Sequence, residues 1–198
     1  MFIDFLSLLL INMMAGFVLL AWYVYAGLDD PDQPRWAPGF IVTGLIAFLF
    51  GGYITLTWPL PGPYNSAFGE LSVLFGALFL AAGIVMARGG NLLTLGLYAF
   101  FAGWVAILLS VRVLMLKLTS TPPVTALGFF ASGFAGVLAL PGLLWFKQNR
   151  LLRTLVAIML LLTAALWALV GYGAYWMHMT AFAHWMPASM RGLPPMGK

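Results

Sequence analysis

The chain has no cysteine. That excludes a disulfide scaffold and a thiolate zinc site. Charge is the next scarcity: Asp, Glu, Lys and Arg make up 7% of the 198 residues, against about 25% in an ordinary soluble domain. Nine Lys+Arg and five Asp+Glu cannot cover a soluble fold with a polar skin, so a soluble enzyme is excluded. The basic residues do not cluster, and the net charge of +4 reflects few acids and no phosphate-binding patch. Nucleic acid is therefore excluded as a partner. The sequence also lacks HExxH, a Walker A loop, and GxGxxG at a strand–helix junction, which leaves no catalytic constellation and no nucleotide-driven pump. The expectation is a protein that is not an enzyme.

What the chain does have is hydrocarbon. Hydrophobic residues are 63% and aromatics 16%, and the mean hydropathy is +1.02. A bilayer core of about 30 Å takes roughly 20 apolar residues per helix. Six stretches meet that length: Phe5 to Ala26, Phe40 to Leu60, Leu71 to Ala87, Leu92 to Leu116, Val124 to Phe146, and Leu155 to Met177. The breaks are polar or rich in proline, as in Asp29-Asp30-Pro31-Asp32-Gln33-Pro34-Arg35 and Lys147-Gln148-Asn149-Arg150, which cannot lie unpaired in lipid. Trp and Tyr gather near the ends of the stretches, at Trp22, Trp36, Trp58, Trp145 and Trp176, as an interfacial belt requires. The first stretch carries Asp4 in place of a basic leader and is too long for a signal-peptide core, so it reads as a retained helix. The fold class is all-α: a polytopic integral membrane protein, a bundle of six transmembrane helices over residues 1–177, followed by a short His/Met-rich tail at 178–198.

Six spans put both termini on one side, here side A. Side B receives five Lys/Arg, namely Arg35, Arg88, Lys147, Arg150 and Arg153, against Lys117, Arg191 and Lys198 on side A. The positive-inside rule then places side B in the cytoplasm of a plasma-membrane protein, with both termini outside.

Helices in lipid associate through close packing and polar contacts. Gly128, Ser132 and Gly136 recur every four residues in the fifth stretch, beside Gly133 and Ala135. Ala77 with Ala81 and Gly96 with Gly103 offer similar stripes. Pro141 should kink the fifth helix near its end. The stripes serve helix packing, or a subunit interface in a homo-oligomer.

Polar residues within spans are costly and mark candidate sites. Asn12, Thr43, Thr55 and Trp104 are the candidates to line a solute pathway, with a helix–helix hydrogen bond as the other reading of Asn12. Arg112 lies five residues before Lys117, about 7 Å below the helix end at 1.5 Å per residue, and can reach side A. Glu70 opens the third stretch on that side, so Glu70, Arg112 and Asp4 are candidates for an ionic mouth. Pro61-Gly62-Pro63-Tyr64-Asn65 is either an ordinary turn or a segment folded back to line an entrance, with Tyr64 and Asn65 as its candidates. In the tail, Met177, His178, Met179, His184 and Met186 form a soft thioether–imidazole set suited to copper. Methionines and aromatics also fill ordinary interfacial helices.

Leu10-Ile11-Asn12-Met13-Met14-Ala15-Gly16, Pro63-Tyr64-Asn65-Ser66-Ala67-Phe68-Gly69-Glu70 and the chain length resemble a family of small prokaryotic membrane proteins, domain of unknown function 981. The resemblance implies a membrane protein and brings no activity. Leu74-Phe75-Gly76-Ala77-Leu78-Phe79, Gly89-Gly90 and Tyr98-Ala99-Phe100-Phe101-Ala102 are more faintly similar to the six-helix urea and amide channels. The run after the Phe-Gly step is more apolar here, so no channel-lining residue is carried over. Two functions follow as expectations. One is a homo-oligomeric channel or facilitator for a small polar solute, with the lipid bilayer as its setting. The other is a copper-handling or non-catalytic accessory subunit of a membrane metalloenzyme or respiratory complex.

Overall fold

The structure is a computed structural model that describes residues 5–183 and residue 185. All described regular structure is helical, and six helices are long and apolar enough to cross a membrane. The protein is a multi-pass membrane protein. Helix α1 is Phe5–Trp22 and α2 is Ala37–Thr57. Helix α3 is Leu71–Ala87, α4 is Leu93–Leu116, α5 is Pro122–Pro141 and α6 is Arg150–Ala181.

The stretch read as Leu71 to Ala87 is α3 to the residue, and α4 starts one residue later than the fourth stretch and ends with it at Leu116. Elsewhere the ends differ for identifiable reasons. Helix α2 stops at Thr57 because Trp58 turns left-handed at φ 49° and caps the Ile54 carbonyl. Helix α5 ends at Pro141, whose missing N–H breaks the ladder, and the chain continues as a π-helical turn over Gly142–Phe146. That turn is where the expected kink appears. Similar wide turns finish the first span at Tyr23–Gly27 and begin the third at Asn65–Glu70. Helix α6 has 32 residues and runs past the expected boundary at 177. It is about 48 Å long at 1.5 Å per residue, well beyond a hydrocarbon core of about 30 Å. Asn149 starts it by accepting the Leu152 N–H at 3.1 Å, a side-chain N-cap.

The helices form a ring in chain order. Each packs on the next, and α6 closes the circle on α1. The pairings α2–α3, α4–α5 and α1–α6 are extensive, whereas the three contacts between these pairs are sparser. Glycine explains two of the tight pairings. Gly44 and Gly51 on α2 face a seam of Gly69, Gly76 and Gly83, and each set repeats at seven residues. A seven-residue period keeps such a set on one helix face. A Cβ on Gly44 would lie 2.2 Å from the Leu80 nitrogen, and one on Gly76 would lie 2.5 Å from that of Phe48. Between α4 and α5, a Cβ on Gly103 would come within 2.4 Å of the Gly133 carbonyl oxygen. The stripe read in the fifth span divides between two neighbours. Gly133 and Gly136 meet α4, while Gly128 lies under the Trp167 ring of α6.

Candidate functional site

The ring surrounds a chamber of about 250 Å³ to which all six helices contribute. Its walls are hydrocarbon almost throughout. Met13 and Phe17 come from α1, Phe75 and Phe79 from α3, Ala99 from α4 and Ala139 from α5. Toward side A the chamber ends on aromatic rings packed edge to face. Phe68 and Phe129 have centroids 5.3 Å apart, and Phe129 and Trp167 have centroids 5.5 Å apart. The Trp167 indole N–H donates to the Ser132 hydroxyl at 2.9 Å, and Ser132 donates to the Gly128 carbonyl at 2.7 Å. The polar atoms of this floor are thereby spent on each other. Among the described residues, no buried side-chain nitrogen or oxygen lacks a partner.

Toward side B the chamber is covered by Tyr23, Phe40 and Met86, which pack with Trp36 in a buried cluster drawn from the α1–α2 connection, α2 and α3. The wide turn at Tyr23–Gly27 leaves carbonyls without helical partners, and side chains take them. Gln33 donates to the Gly27 and Asp30 carbonyls, each at 2.7 Å, and accepts from the Tyr23 hydroxyl at 2.9 Å. Arg153 of α6 donates through Nε to the Val24 carbonyl at 2.9 Å and through Nη2 to the Tyr25 carbonyl at 2.8 Å. Its Nη1 is paired with the Asp29 carboxylate. Asp30 pairs with Arg35 at 2.6 Å and accepts from the Trp36 indole at 2.8 Å. The Trp36 N–H, the Asp32 backbone N–H and the Arg35 guanidinium hold the Asp30 carboxyl below the usual carboxylate range. Arg153 lines the chamber and also an outer crevice of about 600 Å³ on side B, shared with Asp29, Asp30, Arg35 and Arg150.

The expected pathway residues divide between inside and outside. Asn12 and Thr43 line the chamber, and the Asn12 amide donates to the Thr43 carbonyl at 2.9 Å. Thr55 lies outside the chamber lining and spends its hydroxyl on the Gly51 carbonyl of its own helix. Trp104 is 53% exposed on the outer face of α4, because position 104 follows the seam residue Gly103 and is rotated about 100° from it. It therefore lies on the outside of the ring and takes no part in the chamber lining.

The ionic mouth does not form between Glu70 and Arg112. The ion pairs among the described residues are Asp30–Arg35 and Asp29–Arg153, both on side B. Glu70 instead accepts from Ser66, one helical turn earlier, at 2.9 Å, and Arg112 is exposed. Asp4 lies outside the described residues.

In the loop, Asn65 is fully buried and acts as a lock. It accepts from the Leu60 N–H at 3.0 Å and donates to the Leu60 and Gly62 carbonyls at 2.6 and 2.9 Å. Tyr64 stacks on Phe68 at 6.0 Å. The segment is a turn tied to the side A floor, and neither Tyr64 nor Asn65 belongs to the chamber lining. In the tail, His178 Nδ1 is hydrogen-bonded to the Ser7 hydroxyl of α1 at 3.0 Å. Met177 and Met179 are exposed on the last turns of α6, and His184 and Met186 lie outside the described residues.

The residues that build the chamber's ends escaped the sequence reading. Trp167 offered a signal, as an indole in the middle of an apolar span that needs an acceptor. Arg153 was read as a topological charge, yet it falls four residues after the Asn149 cap, within the first turn of α6.

The family model for proteins of unknown function DUF981 matches residues 1–181. The chain belongs to the DUF981 family. The match takes in all six helices, so the ring and its chamber fall wholly within the DUF981 region. No curated protein and no solved structure matches this DUF981 chain, and the fainter likeness to urea and amide channels is borne out by no match.

Proposed function

We propose that this protein is a membrane binding protein or facilitator for a small molecule with a hydrocarbon body, which it holds in the central chamber. The observation that carries the reading is the lining: all six helices meet around a space walled by Phe, Leu, Met and Ala. A buried water needs two to four polar partners, and among the chamber's few polar groups Asn12, Ser132 and Trp167 are already engaged in hydrogen bonds within the protein. A space of about 250 Å³ has the volume of about eight water molecules at roughly 30 Å³ each. Such a chamber stays dry and suits hydrocarbon. The polar solute expected from sequence gives way to an apolar or amphipathic one. Binding and passage, without catalysis, are the roles this lining suits, in a single ring or in a homo-oligomer of rings. The charge bias of the connections supports placing side B in the cytoplasm of the plasma membrane, with both termini outside.

The copper-handling subunit has less behind it. His178 is engaged with Ser7, and Met177 and Met179 stand two positions apart on a helix, which turns them to different faces.

Native mass spectrometry of the protein, extracted from its own membrane in a mild neutral detergent, tests the reading. The expected spectrum carries an apolar or amphipathic small molecule, which is lost from a chamber-filling Ala139→Phe variant. Equal retention by both forms, or none by either, overturns the chamber as the site. One copper per chain, or companion polypeptides, would instead support the subunit.

A further inference from the structure

Resting on the chamber reading, we infer that the guest is a single-chain amphiphile with an anionic head, that Arg153 is the anchor for that head, and that Asp29 holds its place when the chamber is empty.

Arg153 is the residue shared by the hydrocarbon chamber and the polar side B crevice. A molecule lying with its tail among Phe75, Phe79 and Ala139 would bring its polar end to this guanidinium. The two members of the ion pair are unequally held. The Arg153 side chain is 11% exposed and is fixed by the Val24 and Tyr25 carbonyls, whereas that of Asp29 is 53% exposed. Asp29 can therefore swing into water at little cost, while Arg153 cannot leave.

A largely buried guanidinium without a counter-charge is strongly disfavoured. An incoming carboxylate or similar anion in Asp29's place keeps Arg153 paired throughout, with the planar fork matched to two oxygens. The surroundings fit a monoanion. The crevice is lined by Arg35, Arg150 and Arg153 against Asp29 and Asp30, an excess of one positive charge, and Arg35 already serves Asp30. The chamber's volume of about 250 Å³ matches one short chain.

The test uses the full chain in nanodiscs of zwitterionic lipid at about pH 8, with radiolabelled decanoate and decanol as probes and empty nanodiscs as background. Arg153→Gln is the direct variant, but it removes carbonyl partners and puts folding at risk. Asp29→Asn keeps an acceptor beside Arg153 and removes only the competing charge. Retention of decanoate at least about tenfold above decanol, with Asp29→Asn raising decanoate binding about tenfold further and leaving decanol unchanged, is the expected result. Equal retention of the two probes, unaltered by Asp29→Asn, overturns the anchor and leaves the chamber standing. Retention of neither probe above background overturns the anchor and the chamber together.

Discussion

Gly51 and Gly52 are adjacent on α2, yet alanine at each should act in opposite directions. A Cβ at 51 would sit 2.6 Å from Ser72 Cβ and 2.9 Å from both the Gly69 carbonyl oxygen and the Val73 nitrogen. Optimal non-bonded separations between carbons are about 3.5–4.0 Å, so the shortfall is about 1 Å against Ser72. Two of the three obstacles are backbone atoms of the α3 segment, which no rotamer change can move, and the α2–α3 seam must open. A Cβ at 52 meets nothing within 4 Å. Both substitutions gain the same helix-propensity term, about 0.8–1.0 kcal/mol in favour of alanine. The difference between them therefore isolates the seam. Overpacking costs typically about 1–3 kcal/mol, and rigid obstacles put Gly51→Ala near the upper end. Gly52→Ala should be stabilised by about 0.8 kcal/mol, and Gly51→Ala should lie about 3 kcal/mol below it. Reversible unfolding in mixed micelles of neutral detergent and dodecyl sulfate gives both values on one scale. Two variants within about 0.5 kcal/mol of each other, the spread expected of ordinary surface changes, would refute the close approach of α2 and α3.

Asn65→Ala strips three hydrogen bonds from the turn after α2; at about 1 kcal/mol each, it should lower stability by about 3 kcal/mol in the same titration, and a loss below about 1 kcal/mol would rule out the lock. Asp30 has a lowered pKa in the folded protein, so its contribution is present above the unfolded carboxylate pKa and is lost as pH falls through the lowered folded value. Melting temperature should therefore drop on acidification below about pH 4, and Asp30→Asn should flatten that part of the profile. The chain has no cysteine, so single Gln148→Cys and Ser120→Cys variants, both at exposed positions, report topology directly. An impermeant maleimide added to intact cells should label position 120 and spare position 148, and the reverse pattern would invert the orientation.

Much of the fold was legible because lipid imposes one length and one composition on every span. Helix α3 came out to the residue, since Glu70 and Arg88 bracket a run without a charge. The ends of α1, α2 and α5 were less legible, because wide turns and a left-handed tryptophan cap leave no mark in hydropathy. The site was legible only in part. Asn12 and Thr43 stood out as polar groups in apolar runs, and they do line the chamber. Trp104 misled because an indole in a span is equally at home facing lipid, and only the position of its neighbour Gly103 in the α4–α5 seam decides the matter. Arg153 was hidden by its place near the start of a helix, where a charge is unremarked until the partner loop is known. The closed ring lies beyond sequence reading, since it depends on the contact between α1 and α6.

That closure sets an order of events during synthesis. The hairpins α2–α3 and α4–α5 join segments that emerge one after the other, so each can zip as soon as its second helix enters the bilayer. Helix α1 has to wait. Its bond from Ser7 to His178 spans 171 residues, and the Arg153 contacts to Val24 and Tyr25 span 129 and 128. Until α6 arrives, the ring is an open arc with one flank of α1 against lipid and the Val24 and Tyr25 carbonyls still lacking their guanidinium. The last helix to be made is therefore the clasp, and a ribosome stalled before residue 150 would leave behind an inserted chain with no enclosed space at all.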